Sequence, residues 1–219
     1  MKVGTDGVLI GAWANCVKHK RMLDVGAGTG VISLMIAQRN SDIVIDAVEI
    51  DKDAAVQMKE NFEISEWGSR LNVVNDTFQN FAQTTTQKYD LIVSNPPYFL
   101  NSLKNPEAKK TVARHAEMLP YEDLVDGVVR LLTEDGVFGA IFPYEEANLF
   151  VAMAALKGLY CVRRLDVRGK SRKPVKRVLM EFSKQKFEPV FDEMIIEENE
   201  RHSYTEKYKN LTKDFYLKF

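Results

Sequence analysis

No apolar run in the sequence approaches the length a membrane-crossing helix needs, and the first residues lack the basic-then-apolar pattern of an export signal. Cysteine and histidine are scarce. Cys16 and Cys161 form no Cys-x-x-Cys pair, and three scattered histidines offer no zinc-ligand spacing. Neither a disulfide nor a metal site is therefore expected, and a soluble protein of the reducing cytoplasm is. Pro/Ser linkers, low-complexity tracts and internal repeats are absent as well. Net charge is small, a formal −1 at pH 7, which excludes a global signature of nucleic-acid binding. An anionic partner would have to meet a local basic patch.

What is present is a chain of 219 residues, 45% hydrophobic, enough for one good-sized core. We expect a single domain over 1–219: an N-terminal helix region at 1–19, a core at 20–183, and a C-terminal extension at 184–219 packing on that core. Strand-like and helix-like segments alternate. "RMLDVG", "DIVIDAVEI", "LNVVND", "YDLIVSN" and "GVFGAIFP" read as buried strands, with "TGVISLMIAQRN", "DKDAAVQMKENFEISEW", "YEDLVDGVVRLLTEDG" and "EEANLFVAMAALKG" as helices. "YCVRRLDV" and "KRVLMEFSK" have no helix between them and predict an antiparallel hairpin. The fold class is α/β: a doubly wound, mostly parallel, seven-stranded Rossmann-like sheet ending in that hairpin. Residues 99–120 and 184–204 read as long loops. The first of these follows a strand's carboxyl end, where ligands gather in such sheets.

"DVGAGTG" places Gly26, Gly28 and Gly30 between the first strand and its helix, where missing Cβ atoms permit a tight turn and close approach of a ligand. The spacing is Gly-x-Gly-x-Gly. Val31 stands where a dinucleotide loop would put its last glycine, and Asp24 would repel a pyrophosphate, so NAD loses ground. Glu49, at the end of the second strand, can accept both ribose hydroxyls of an adenosine-type cofactor, and Asp76, ending the third, can accept from an adenine amino group. Acidic surroundings suit the sulfonium of S-adenosylmethionine better than a phosphate. The plainer alternative makes Glu49 and Asp76 ordinary helix caps and the glycines a bare turn. The three features together resemble the class I S-adenosylmethionine-dependent methyltransferases over roughly residues 20 to 145.

The fourth strand runs into Asn95-Pro96-Pro97-Tyr98, which removes two backbone donors and leaves acceptors facing whatever lies above. The Asn95 side-chain carbonyl and the Pro96 backbone carbonyl can each accept one N–H of an exocyclic amine, drawing its lone pair out of conjugation. The prolines, Pro97 included, hold the chain extended, and Tyr98 offers a flat face for a flipped base. NPPY in this position resembles the amino-group methyltransferases, which act on adenine or, in the release-factor-modifying enzymes, on a glutamine amide. Guanine-modifying relatives more often carry NPPF.

Thr5 or Asp6 is expected to cap an N-terminal helix whose apolar face includes Leu9, Ile10 and Trp13. "KVGTDGVLIGAWA", "DVGAGTG", "SNPPY", "ARHAEMLPYEDL" and "YTEKYKNLTKDFYLKF" together resemble the bacterial tRNA adenine-N6 methyltransferase family that modifies adenosine 37 of a valine tRNA. The resemblance implies S-adenosylmethionine as cofactor, a tRNA anticodon stem-loop as partner, Asp6 near the cofactor's amino-acid end, and Arg114 with His115 at the nucleotide entrance. It implies neither an oligomeric partner nor a membrane. Family members usually have more residues before "KVGTDG" than this chain. Along "RRLDVRGKSRKPVKR", Arg163, Arg164, Arg168, Lys170, Arg172, Lys173, Lys176 and Arg177 face only Asp166, an arrangement suited to tracking phosphates from a hairpin tip. The bland alternative is a solvated loop. A release-factor glutamine methyltransferase would be expected to carry a separate helical recognition region before the glycine loop, where this chain has only residues 1–23. A non-catalytic RNA-binding module on the same fold is the third alternative, and the intact NPPY disfavours it.

Overall fold

A computed structural model describes residues 4–98, 119–198, 200 and 202–217. The expected strands form as β1 (Arg21–Val25), β2 (Val44–Glu49), β3 (Leu71–Asn75), β4 (Tyr89–Ser94), β5 (Leu132–Pro143), β6 (Tyr160–Lys170) and β7 (Val175–Ser183). The helices are α1 (Thr5–Trp13), α2 (Val31–Arg39), α3 (Lys52–Glu63), α4 (Phe78–Thr84), α5 (Tyr121–Leu131), α6 (Tyr144–Leu156) and α7 (Glu206–Thr212). The sheet has eight strands rather than seven: Val190–Glu197, expected as loop, forms β8 parallel to β6. Its first four residues are exposed and only Met194 is buried, so the strand lacks the apolar run that marked the others. The "LTED" expected to finish α5 instead opens β5, with Leu132 opposite Tyr89.

The strand order is β3-β2-β1-β4-β5-β7-β6-β8, with β1 to β5 parallel and β7 running against both of its neighbours. Continuous burial of β1 and β4 reflects helices on both faces, as a parallel sheet requires. One core cluster joins Leu9 and Ile10 of α1, Ile32 and Ile36 of α2, and Met58 and Phe62 of α3 to the sheet. The opposite face packs Phe78, Leu124, Val128 and Phe150 from α4, α5 and α6. Tyr208 of α7 belongs to the first cluster, and Leu211 and Phe215 pack on Val8 and Ala12 of α1.

Two local features position the site. Because β7 is reversed, its first residues lie at the edge where the parallel strands end, and Arg177 sits opposite Pro143, the last residue of β5. On the other side of β7, Val167 pairs with Arg177 but Arg168 pairs with Val175, so Lys176 is an extra residue in a bulge. α1 begins after Gly4, not at a side-chain cap: Gly4 has extended backbone and Asp6 falls inside the first turn. The Asp6 carboxylate is engaged elsewhere, as described next.

Candidate active site

The glycine loop is shaped from several directions. Gly26, Gly28 and Gly30 all have positive φ, at 69°, 58° and 84°, which side-chain-bearing residues adopt at a cost. A Cβ on Gly26 would meet only open space, whereas one on Gly30 would collide with the Phe62 ring and with Met58. Gly26 therefore fits a loop that leaves room for a ligand, and Gly30 a loop that lets α2 and α3 close together. Asn61 of α3 donates to the Thr29 carbonyl at 2.9 Å and braces the loop from below.

Three carboxylates surround it. Glu49 is buried, accepting from the Gly28 N–H at 2.7 Å and the Asp51 N–H at 2.8 Å. Asp76 accepts from the Thr77 N–H at 2.7 Å and from Asn80 at 2.5 Å. Neither is a helix cap, since Asp51 caps α3 and Thr77 caps α4. Asp24 is fully buried. Ser33 donates to its Oδ2 at 2.7 Å, while its Oδ1 has no hydrogen-bond partner among the described residues. Burial pushes its carboxyl up to about 7 against the opposing help of Ser33, and the nearby Glu49 charge adds to the rise.

The NPPY turn leaves β4 at the same edge, where Ser94 Oγ donates to the Val25 carbonyl at 2.9 Å and pins β4 to β1. Asn95 and Tyr98 are half-buried, Pro96 is buried and Pro97 exposed. The Tyr98 hydroxyl donates to Asp6 Oδ2 at 2.5 Å and lies 3.4 Å from Asn95 Oδ1. Arg177 Nε donates to the same Asp6 oxygen at 2.8 Å, and its guanidinium carbon stands 4.8 Å from the Tyr98 ring centroid. Burial first, then the Asp6 carboxylate, holds the Tyr98 phenol well above its ordinary range. Beside this group Tyr121 donates to the buried Glu146.

The expected residues do not all converge. Asp24, Gly26, Gly28, Gly30, Glu49 and Asp76 line one stretch of the sheet edge, and Tyr98, at the end of the NPPY turn, meets Asp6 and approaches Asn95. Arg114 and His115 lie outside the described residues. In the basic run, Arg163 is committed to Glu181 and the Trp13 ring, Arg164 to Asp166 and Arg168 to Glu193. Lys170 lies 3.6 Å from Glu197. Only Arg172, Lys173 and Lys176 of the run are exposed cations with no acidic partner among the described residues. The phosphate-tracking surface is thus narrower than the sequence implies, because neighbouring strands supply acids that linear reading cannot see.

The family model of the methyltransferase small domain matches residues 5–121. A tRNA1(Val) (adenine(37)-N6)-methyltransferase from Trichodesmium erythraeum is 44% identical, the match covering 100% of this chain and 92% of that protein. One of the same name from Bacteroides fragilis is 46% identical with the same coverage. This chain belongs to the tRNA1(Val) (adenine(37)-N6)-methyltransferase family. Among solved structures, a protein from Agrobacterium tumefaciens described as a predicted O-methyltransferase superposes with TM-score 0.75, covering 95% of this chain and 96% of that one. At 16% identity that likeness shows the fold alone.

Within this methyltransferase family member the residues present fit a cationic adenosyl cofactor. A buried carboxylate oxygen of Asp24 lacks a donor, Gly26 leaves open space, and no lysine or arginine pairs with Asp24, Glu49 or Asp76 among the described residues. Sequence reasoning missed Ser33, whose hydroxyl comes from the first turn of α2, and it took Arg177 for a phosphate contact. The signal for Arg177 was its place at the start of a reversed strand, which only the topology makes meaningful.

Proposed function

We propose that this protein transfers a methyl group from S-adenosylmethionine to the exocyclic N6 of adenine 37 in the anticodon loop of a valine tRNA. The observation that carries this reading is the NPPY turn standing at the same sheet edge as the acidic glycine-loop pocket, in a member of a family so named. Asp24 and Glu49 would hold the amino-acid and ribose portions of the cofactor, and Asp76 the adenine end. Held there, S-adenosylmethionine would supply an electrophilic methyl on a sulfonium leaving group.

The chain's own part is to prepare the amine. Asn95 Oδ1 and the Pro96 carbonyl accept its two N–H bonds, which localises the nitrogen lone pair toward the methyl. No prior deprotonation is required, and the surplus proton departs to solvent after transfer. Tyr98 receives the base by stacking. An unpaired loop adenine costs less to extrude than a paired one. Arg172, Lys173 and Lys176 would hold adjacent phosphates.

The test is nucleoside mass spectrometry of tRNA incubated with the protein and isotopically labelled cofactor, followed by sequencing of the labelled fragment. Labelled N6-methyladenosine at position 37 is expected. With Asn95→Ala, cofactor binding should persist while turnover falls by roughly 10²–10³. Label on a glutamine of a protein substrate, with none on tRNA, would overturn the reading.

A further inference from the structure

Arg177 is not among the residues that the proposed chemistry uses, yet it reaches the centre of the site. It arrives there because β7 runs backwards and delivers its third residue to the carboxyl edge. Its Nε holds Asp6 Oδ2, the oxygen that also takes the Tyr98 phenol proton, and its guanidinium covers one face of the Tyr98 ring. A phenol has a single proton to give. In this structure that proton goes to Asp6 at 2.5 Å, with Asn95 Oδ1 the alternative acceptor at 3.4 Å.

The alternatives compete for the reaction. If Tyr98 donated to Asn95 Oδ1, it would take one of that oxygen's two lone pairs and weaken it as an acceptor for an amine substrate, and the tyrosine would work against the asparagine. A carboxylate is the stronger acceptor, so a well-placed Asp6 settles the competition. Asp6 sits in the first turn of α1 with no cap to fix it, and Arg177 supplies the restraint. Covering one ring face has a second effect: a planar base can stack only on the other.

Resting on the amine-methylation reading above, we infer that Arg177 is a positioning residue for methyl transfer. By clamping Asp6 it keeps the Tyr98 proton away from Asn95, and by backing the ring it assigns the base to one face. A phosphate contact, the role its place in the basic run implies, is the competing role.

The two roles separate experimentally in the full-length protein with a labelled anticodon stem-loop. Arg177→Met should lower kcat by about 10- to 100-fold. S-adenosylmethionine affinity by calorimetry should fall by less than kcat does, because Arg177 makes no hydrogen bond to Asp24, Glu49 or Asp76 among the described residues. The slope of log Kd for RNA against log salt should not change, whereas loss of a phosphate contact would reduce it by about 0.7–0.9. Placed in a Tyr98→Phe background, where no phenol proton competes but the ring remains, Arg177→Met should cost clearly less than the loss it causes beside Tyr98. Arg177→Lys retains one charged donor to Asp6 without the planar cover, and should recover part of kcat with KM unchanged. This variant also serves if the methionine protein does not fold. Unchanged kcat in the lysine and methionine variants, a reduced salt slope, or losses that simply multiply with those of Tyr98→Phe would each overturn the inference. Absence of label with the unsubstituted protein would instead remove the amine-methylation reading and this inference with it.

Discussion

Asp24 bears its charge at a cost to the fold. Its carboxyl, ordinarily near 3.8, is lifted to about 7 because burial strips its water and one oxygen finds no donor. The folded state thus binds the proton more tightly than the unfolded chain does. As pH rises from 3.8 the unfolded form ionises first, so the contribution to stability falls steadily until about 7 and is level above it. Asp24→Asn, which keeps the shape without the charge, should stabilise the ligand-free protein, by roughly 2–4 kcal/mol at pH 8 and by less at pH 5.5. Thermal melts at the two pH values check this; a gap that does not grow with pH would mean that Asp24 ionises freely. The same substitution should weaken S-adenosylmethionine binding, separating what the carboxylate costs the fold from what it gives the ligand.

At the level of elements, β1, the glycine loop and α2 form a joint that tolerates little change. Gly30 combines a φ of 84° with a Cβ position already filled by Phe62 and Met58. Gly30→Ala should therefore cost roughly 2–4 kcal/mol, from left-handed strain plus overpacking, read as a lower urea midpoint. The alternation of strand and helix was legible in the sequence because β1, β2 and β4 are apolar runs bounded by turn residues, and the positions of Asp24, Glu49 and Asn95 at strand ends followed from it. β8 was not legible. An edge strand covered on one face needs few apolar residues, and "VFDE" reads as loop. Nor was the start of α1, since Asp6 resembles a cap by type and position while its carboxylate serves Tyr98 and Arg177. The ion pairs that neutralise Arg163, Arg164 and Arg168 involve Glu181, Asp166 and Glu193, two of them on other strands, and only the assembled sheet reveals them.

For the whole molecule, a formal charge of −1 means that RNA must be drawn by a small patch against an indifferent background. Reversing Arg172, Lys173 and Lys176 to glutamate should weaken anticodon stem-loop binding and flatten its salt dependence by about 2 in slope, with melting temperature little changed because all three are exposed. Filter binding across a salt series measures it, and an unchanged slope would return the patch to an ordinary solvated turn. The hairpin that carries the patch also carries Arg177, and Lys176, the last cation of the patch, is the extra residue that directly precedes it. Side chains alternate faces along a strand, so a change of length has consequences that a change of identity does not. Lys176→Ala keeps the count and the clamp. Excising position 176 would keep the pairs Val167–Arg177 and Arg168–Val175 but remove the bend and added twist that the bulge gives β7, so that the cations at the tip and the methylation centre would no longer be aimed at one loop of RNA. This stretch should accept substitution far more readily than insertion or deletion.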